Sequence, residues 1–457
     1  MLSVNTIISE SAYIEQEQND RISNFFKKFN ISKALKSSNF YKCKGTQPLC
    51  LLQYLFTLVF RNKNIYFDTK TNPQSGKSKN TVYRFLNSTV YDWCKLLYTV
   101  AVNVILSLIP LTSENRENVL IVDDTLYSRS RSKKVDMLTK VYDHNTGEYI
   151  KGFKLLSIAW SDGNTTVPLR FCPLVSTNKK MIINGLPNDM DKRTRAYKLR
   201  RAAMRNPVDA MLDLIGSIDL SLLKVRYVLF DSWFAFPSVI MSVCRQNVNV
   251  VCMLKRMYRV YYTFNGKKYN LQKLYETVPH SRKGEIIASV KVKIHNTDGE
   301  EQWVKILFVR SNRSNDWCAL LSTDLNLSDE EMIRIYGKRW NIEVMFKISK
   351  HYLKLDSELE SRHFESIYAH SAIVYLRYIM LAYENRVSED FRTCGEIFFF
   401  ICSELRDISF VEALSVLLNI VFEQVRSEKL CCPTQIKRLI GIFTASIPHC
   451  FCVLHGW

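Results

Sequence analysis

The sequence lacks the features that mark a membrane or secreted protein. Its longest apolar runs, residues 49–60 and 96–111, are short for a transmembrane span and carry Gln53 and Asn103. The N-terminus has neither a charged stretch nor a long apolar stretch, so we expect no secretory signal peptide. The 13 cysteines form no regular framework and are odd in number, which argues against a disulfide scaffold. We therefore expect a cytoplasmic protein without a membrane partner.

Acidic residues are scarce relative to basic ones. The chain has 44 Asp and Glu against 63 Lys and Arg, a net charge of +19, which favours a polyanionic partner such as nucleic acid. No GxxxxGK[ST] motif occurs, so the sequence gives no support for nucleotide hydrolysis by a P-loop. There is no internal repeat and no low-complexity segment. With 457 residues, 47% of them apolar, the chain is long enough for two or three globular domains.

Residues 1–115 read as a helical domain. A loop rich in turn formers, residues 69–80, feeds a short helix predicted at residues 80–87. Hydrogen-bonding and basic side chains gather at the start of this helix: Lys77, Lys79, Asn80 and Arg84. Such a helix resembles a DNA-recognition helix, in which polar groups at the N-terminal end read bases and lysines contact phosphates. The alternative is an ordinary surface helix between two core helices.

Two buried strands are predicted to end in carboxylates. Residues 119–122 run into Asp123 and Asp124, and residues 226–230 run into Asp231. Acidic residues at such positions in an α/β sheet commonly mark a site, because strand ends open onto a crevice. Residues 140–175 read as an antiparallel meander, and residues 248–254 as another buried strand. Just beyond that strand, Lys255 and Arg256 are candidate DNA contacts.

The segment 336–350 is predicted to be one helix, with a capping box of Ser328 and Glu331 at its entry. At 100° per residue, four functional side chains share a narrow strip walled by apolar residues: Tyr336, Arg339, Glu343 and Lys350. The opposite polar face, which we expect to be solvated, consists of Lys338, Asn341 and Ser349. One carboxylate among cations and a phenol suits the handling of phosphates. The alternative is a surface ion pair between Arg339 and Glu343 at i, i+4.

Two strand-end aspartates and a helical glutamate are the ligands that a two-metal phosphoryl-transfer site requires. Carboxylate oxygens would hold two Mg²⁺ ions roughly 3.5–4 Å apart, and Mn²⁺ would substitute. The predicted mixed sheet favours an α/β, ribonuclease-H-like catalytic core interrupted by a β-rich insertion, with helical N-terminal and C-terminal regions. The expected boundaries are 1–115 (helical DNA-binding domain), 116–255 (first part of the core), 256–325 (β-rich insertion), 326–385 (second part of the core) and 386–457 (helical C-terminal region, a candidate for dimerisation).

These motifs resemble the DDE transposases of bacterial insertion sequences whose third motif reads Tyr-x2-Arg-x3-Glu-x6-Lys. Tyr336, Arg339, Glu343 and Lys350 match that spacing without a gap. In the resemblance Asp124, in Asp-Asp-Thr, matches the first acidic position and Asp231 the second; the choice between Asp123 and Asp124 depends on the strand register and stays open. Trp317 falls where the family has a tryptophan shortly before the third motif.

The resemblance implies a Mg²⁺-dependent cut-and-paste enzyme with Asp124, Asp231 and Glu343 as catalytic metal ligands. Such an enzyme binds double-stranded DNA at the terminal inverted repeats, pairs them in a homodimer and joins the 3′-OH ends to target DNA. The second strand would be released through a DNA hairpin, with Trp317 stacked on a flipped base. Tyr336, Arg339 and Lys350 would hold phosphates near the cut. A nucleoid-associated location follows from that role.

Three alternatives stay open at this stage. One is a nuclease on the same fold that cuts DNA without strand transfer, and another is a catalytically inactive, transposase-derived DNA-binding protein. For Trp317, the plain alternative is an ordinary core tryptophan. Among weaker candidates, the spacing of His449, Cys450, Cys452 and His455 fits no usual zinc site, and Cys431 with Cys432 is interpreted as packing.

Overall fold

The computed structural model describes most of the chain between residues 21 and 403. The described ranges are 21–71, 78–113, 116–143, 146–187, 190–281, 284–310, 316–359, 361–387 and 393–403, with residues 421, 424, 425, 434, 435 and 438. Lys77, the histidines and cysteines near the C-terminus and most of the region 386–457 therefore lie outside the described residues.

The N-terminal region is helical, as predicted. Its helices are α1 (Arg21–Lys28), α2 (Ile31–Ser37), α3 (Pro48–Leu58), α4 (Ile65–Thr71), α5 (Lys79–Leu86) and α6 (Trp93–Leu108). Within the described residues one segment, Trp93–Leu111, has the length and apolarity of a membrane span. Helix α6 nevertheless buries a continuous face, from Trp93 to Leu108, in the protein core. The apolar run is therefore a helix of the core in this structure.

A large mixed sheet forms the centre of the molecule. Its strands are β1 (Asn118–Ser128), β2 (Thr139–Asp143), β3 (Glu148–Ser161), β4 (Thr166–Leu174), β5 (Val225–Phe230), β6 (Asn249–Leu254), β7 (Tyr262–Phe264), β8 (Lys267–Tyr269), β9 (Ile286–His295), β10 (Glu301–Arg310) and β11 (Trp317–Ser322). The order is β2-β3-β1-β5-β6-β11-β10-β9-β7-β8, with β4 paired to β3.

The strand directions follow the predicted arrangement. Strand β3 pairs antiparallel with both β1 and β4, whereas β5 and then β6 are added parallel to β1. The strands of the predicted β-rich insertion belong to the same sheet, because β11 pairs antiparallel with β6 and the other strands of the insertion follow β11. Its hairpin turn at Asn265 and Gly266 has positive φ at both residues, as an Asn-Gly turn between two strands requires. The chain is therefore a mixed α/β protein built on one extended sheet.

The remaining helices cover the sheet. They are α7 (Arg195–Ala203), α8 (Pro207–Gly216), α9 (Pro237–Cys244), α10 (Leu271–Thr277), α11 (Asp329–Gly337), α12 (Trp340–His351), α13 (Phe364–Val387) and α14 (Cys394–Ser403). Helix α13 is buried from Phe364 to Tyr383, which explains its nearly continuous apolar sequence. It packs on β4 on one side and on α6 and α3 on the other.

A buried arginine joins the N-terminal helices to the sheet domain. Arg377, on α13, is 1% exposed and donates hydrogen bonds to the carbonyl oxygens of Leu55 and Phe56. Those carbonyls belong to the last turn of α3, where helical partners are missing. The same guanidinium forms an ion pair with Glu358 at 2.7 Å. The N-terminal helices are thus fixed to the sheet domain by hydrogen bonds as well as by apolar packing.

Candidate functional site

Strand register brings two aspartates together at the centre of the sheet. Strand β1 pairs in parallel with β5, with Ile121 opposite Leu229, and β5 ends at Phe230. Asp123 comes two residues after Ile121, and Asp231 comes two residues after Leu229, directly behind the end of β5. Strand β1 itself continues to Ser128, so its aspartates lie beside the open end of β5 and not at the end of their own strand. The crevice at that open end is the place where a ligand can approach the sheet.

The predicted single helix over 336–350 is wrong, because two helices share this segment. Helix α11 ends at Gly337 and α12 begins at Trp340. Between them, the backbone N–H groups of Lys338 and Arg339 donate hydrogen bonds to the carbonyl oxygens three residues earlier, which is the tighter 3₁₀ pattern. Gly337 favours the break between the two helices, because glycine is a weak helix former. The capping box of Ser328 and Glu331 at the start of α11 is confirmed.

Arg339 lies between two carboxylates from different elements. Its Nη1 donates to Asp123 Oδ2 at 3.0 Å, and its Nη2 donates to Glu343. Only 16% of the Arg339 side chain and 18% of the Asp123 side chain are exposed. The Arg339–Glu343 pair foreseen as a surface alternative therefore exists, but it is part of a half-buried cluster that includes the sheet. We call the group of Asp123, Asp124, Asp231 and Glu343, with Arg339 and Lys154, the acidic crevice.

Two carboxylates of the acidic crevice, Asp123 and Asp231, resist ionisation. Burial raises the pKa of Asp123 to about 7; the Arg339 guanidinium opposes this rise, and the negative charge of Asp231 adds to it. Burial also raises the pKa of Asp231, against the hydrogen bond that its Oδ1 accepts from the backbone N–H of Trp233. The four carboxylates of the crevice have only two basic side chains beside them, Arg339 and Lys154. A bound cation would relieve the excess of negative charge.

Asp124 occupies the other side of the crevice. Because adjacent strand residues point to opposite faces, it does not follow Asp123 toward α12. Its Oδ2 lies 3.4 Å from the Lys154 ammonium of β3, and that ammonium lies 5.8 Å from the ring of Trp233. Asp231 is close enough to interact electrostatically with Arg339 on one side and with Asp124 and Lys154 on the other. The crevice therefore has an Arg339 side and a Lys154 side.

The other members of the predicted strip lie at different depths. The Tyr336 hydroxyl is buried without a hydrogen bond of normal geometry to any described residue. Burial raises the pKa of its phenol, and nearby Arg339 opposes the rise. Lys350 lies two turns beyond Glu343, where burial lowers the pKa of its ammonium against the charges of Asp356 and Asp143. Tyr336 is thus close to Arg339, whereas Lys350 stands near a separate acidic pair.

The expectation that the second polar face is solvated is wrong. The Lys338 side chain is 9% exposed, because its ammonium donates to the Glu117 carbonyl and lies 3.3 Å from the Glu117 carboxylate. Asn341 bonds the Ser161 hydroxyl in the β3–β4 region, and Ser349 is fully buried. These contacts anchor α12 to the sheet, which keeps Arg339 and Glu343 over the crevice.

Trp317 lies at the start of β11 with both faces of its indole covered. The Arg256 guanidinium lies 3.9 Å from the ring centroid, and the Tyr275 ring stacks on it at 4.4 Å. Two groups at these distances cannot share one face. Arg256 also donates to the Trp317 carbonyl at 2.8 Å. The exposed Lys255 follows β6 directly, so both predicted basic residues lie at this end of the sheet.

The predicted recognition helix exists as α5, whose N-cap is Ser78. Lys79, Asn80 and Arg84 are all exposed on it. The Arg84 Nε donates to the Asn80 carbonyl at 3.3 Å, and the Lys79 ammonium lies 5.2 Å from the Tyr66 ring. Three of the four predicted DNA contacts in this region therefore form one exposed surface, and Lys77 lies outside the described residues.

The chemistry of the acidic crevice fits hard divalent cations. Asp123, Asp231 and Glu343 present carboxylate oxygens from two strands and a helix, and such oxygens are the preferred ligands of Mg²⁺.

No three carboxylates of the acidic crevice have ligand atoms that all lie within 4.8 Å of one another, whereas Asp136, His363 and Glu365, a second group of ligand type among the described residues, do. There, however, Arg200 already pairs with Asp136 at 3.0 Å and with Glu365 at 2.5 Å. A guanidinium between two carboxylates competes with a metal for them, as Arg339 also does in the acidic crevice.

Two residues of the crevice were missed by reasoning from the sequence. Lys154 lies within the long apolar strand β3, and a charged residue in such a strand was a usable signal. Trp233 follows Asp231 by two residues and is exposed, but its exposure could not be predicted because the surrounding sequence is apolar.

Family models match two overlapping parts of the chain. Residues 57–275 match the family described as DDE superfamily endonuclease. Residues 188–377 match the family described as transposase DDE domain. No curated protein matches the chain. The large mixed sheet is consistent with a DDE nuclease fold. Together the matches support a transposase or endonuclease of the DDE superfamily.

Proposed function

We propose that this protein is a DNA transposase that cleaves the ends of its mobile element and joins the 3′-OH ends to target DNA. The observation that carries the proposal is that Asp123 and Glu343 both pair with Arg339, while Asp231 is close enough to interact electrostatically with the same guanidinium. We propose further that the strands β1 and β3 to β6 form a ribonuclease-H-like core. The matches to DDE endonuclease and transposase families support both proposals.

In this proposal Asp123, and not Asp124, is the first of the three metal-holding carboxylates. The support is geometric, because Asp123 shares Arg339 with Glu343 whereas Asp124 pairs with Lys154 on the other side. When bound, two Mg²⁺ ions would activate the attacking oxygen and stabilise the leaving oxygen, and Mn²⁺ would serve in their place. Arg339 would turn toward a DNA phosphate once metal neutralises its carboxylate partners.

The remaining predicted residues receive roles in DNA binding. Lys79, Asn80 and Arg84 on α5 would read the terminal repeat, since they form an exposed basic and polar surface. Tyr336 would orient Arg339, and Lys350 and Lys255 would contact phosphates further out. We propose a homodimer in the DNA complex, in which two ends are paired.

Stacking of Trp317 on a flipped base, as the family resemblance implies, is compatible with the structure only if Arg256 or Tyr275 moves away. Trp317→Ala would then nick almost normally and accumulate nicked ends with little hairpin. Equal loss of nick and hairpin would indicate a structural indole.

The test first identifies matching inverted repeats in the DNA that flanks the gene, and then uses duplex DNA that carries them, with supercoiled plasmid as target. Full-length protein with Mg²⁺ should cut at the repeat and yield joined products, and Glu343→Ala should yield neither while still binding the duplex. Cleavage without any joined product would favour the nuclease alternative. Binding without cleavage by the unchanged protein would favour the inactive DNA-binding alternative.

A further inference from the structure

We propose that Trp233 and Lys154 form a nucleotide-binding pair on the Lys154 side of the acidic crevice, with the indole stacking on an unpaired base and the ammonium contacting its phosphate. The proposal rests on the proposed function in one respect only, namely that a DNA strand enters the crevice. It adds a position and a role that the carboxylate cluster does not supply.

The first argument is the exposure of Trp233. Its side chain is 55% exposed although the residues that follow it, Phe234 and Ala235, are buried. Single exposed apolar side chains are common on protein surfaces, so what sets this indole apart is its position beside the acidic crevice. The backbone at Trp233 is fixed, because its N–H donates a hydrogen bond to Asp231 Oδ1 at 3.0 Å.

The second argument is the position of Lys154. Its ammonium lies between the Trp233 ring, at 5.8 Å, and the Asp124 carboxylate, at 3.4 Å. A cation next to an exposed indole presents the two groups that a nucleotide needs, a phosphate contact and a flat apolar surface. If metal binds at Asp123 and Asp231, the strand that reaches it passes the end of β5. Trp233 lies next to that passage.

The third argument comes from a comparison with Trp317, the tryptophan that the family resemblance assigns to base stacking. Both faces of Trp317 are covered by Arg256 and Tyr275 in this conformation. Trp233 requires no such displacement before a base can stack on it. Stacking is tolerant of sequence because every base has a π face, so the pair would hold an unpaired nucleotide without selecting its identity.

A matched control exists elsewhere on the chain. Trp303, on β10, is 51% exposed, and the Lys293 ammonium lies 5.3 Å from its ring. The two pairs are alike in exposure and in cation distance. They differ in their neighbours, because Trp303 lies in the outer part of the sheet, beyond β11. Trp303→Ala therefore measures what the loss of an exposed indole does by itself.

The experiment measures the affinity of the full-length protein for two fluorescent single-stranded probes, an oligodeoxythymidylate and an abasic strand of equal length. Stacking of one base changes affinity between about 5-fold and 150-fold. The unchanged protein should therefore prefer the thymidylate within that range. Trp233→Ala should lose the preference, Trp233→Phe should retain most of it, and Trp303→Ala should leave it unchanged. Lys154→Ala should lower the affinity for both probes by the same factor and reduce the dependence of that affinity on salt concentration.

Some outcomes would overturn the inference. An unchanged base preference in Trp233→Ala, with the variant folded by circular dichroism, shows that the indole does not stack. A preference that disappears only in Trp340→Ala places the base on the α12 side instead. Neither result bears on cleavage by the carboxylates, which is measured separately on repeat-bearing duplex. If Trp233→Ala loses the base preference but no repeat is ever cut, the nucleotide-binding pair stands and the transposase proposal falls.

Discussion

Two buried carboxylate clusters in this protein are held in opposite electrostatic states. In the acidic crevice, the pKa of Asp123 is raised to about 7 and that of Asp231 is also raised. In the second cluster, which we call the Glu358 network (Glu358, His370 and Arg377), the carboxylate is stabilised in its charged form. Burial alone would raise the pKa of Glu358, but the charge of Arg377 and hydrogen bonds from His370 and Arg377 lower it to about 2.

The difference is one of charge balance and not of burial. The Glu358 network opposes one carboxylate with one guanidinium and an imidazole, and its members bond one another at 2.7 and 3.2 Å. The acidic crevice gathers four carboxylates around Arg339 and Lys154. A balanced cluster stabilises the fold as it stands. An unbalanced cluster lowers the stability of the fold, and a bound cation would neutralise its excess charge. Such an arrangement is typical of a functional site.

The largest expected effect separates the two aspartates of the doublet. Asp123→Ala, Asp231→Ala and Glu343→Ala should each lower Mg²⁺-dependent cleavage by at least about 10³-fold, since metal stabilisation is worth several kcal/mol. Asp124→Ala should lower it by less than about tenfold. Cleavage of labelled repeat duplex on denaturing gels measures both. Normal cutting by Asp123→Ala with none by Asp124→Ala would exchange their roles.

In the balanced cluster, removal of charge should instead unfold the protein. Glu358→Gln leaves Arg377, which is 1% exposed, without its counterion, and the free energy of unfolding should fall by about 3–5 kcal/mol. Urea denaturation followed by circular dichroism measures the change. Glu300→Gln breaks an exposed pair with Arg245 and should cost no more than about 1 kcal/mol. Equal effects of the two variants would contradict the comparison.

Neutralising the crevice should stabilise the metal-free protein. Asp123→Asn removes a buried charge that faces Asp231, so the free energy of unfolding should rise by about 1–3 kcal/mol. Added Mg²⁺ should raise the melting temperature of the unchanged protein and do so much less in Asp123→Asn. Asp136→Asn is the control for the second candidate metal group. Loss of the Mg²⁺ effect in that variant alone would place the metal there.

Acidification should act on the Glu358 network with a defined sign. Its folded pKa lies below the ordinary value of 4.5, so its stabilisation is present above pH 4.5 and is lost as pH falls toward 2. Burial also lowers the pKa of His370, so stability decreases as pH falls below the ordinary value of 6.5. Stability measured against pH should decline through both windows. In Glu358→Gln the decline below pH 4.5 should be shallower; an unchanged slope would contradict the assignment.

Local signals predicted much of the fold. The capping box at Ser328 and the buried strands that precede Asp123 and Asp231 are each specified by short-range chemistry, and each is found. The choice between Asp123 and Asp124 depends on a fact that short-range patterns do not contain. Strand β1 continues past the end of β5, so which aspartate faces α12 depends on the register between strands.

The ion pairs that join residues far apart in sequence could not be predicted for the same reason, namely that short-range patterns do not contain the pairing of distant segments. Lys154 reaches Asp124 from β3, and Lys338 reaches Glu117 across the sheet. The polar face of α12 was expected to be solvated because helical periodicity separates polar from apolar sides. Periodicity does not tell a polar side that meets water from one that meets a buried carboxylate.

The hydrogen bonds from Arg377 to the last turn of α3 bear on how this protein can be cut and recombined. With the carbonyls of Leu55 and Phe56 bonded by a residue more than 300 positions later, the N-terminal helices are expected to unfold together with the sheet domain. A fragment of residues 1–115 would expose those carbonyls and the apolar face of α6. The N-terminal region, to which we assign recognition of the terminal repeats in the proposed function, is therefore not expected to fold as a transferable unit. A chimera that exchanges this region between related proteins must carry a compatible α13 with it.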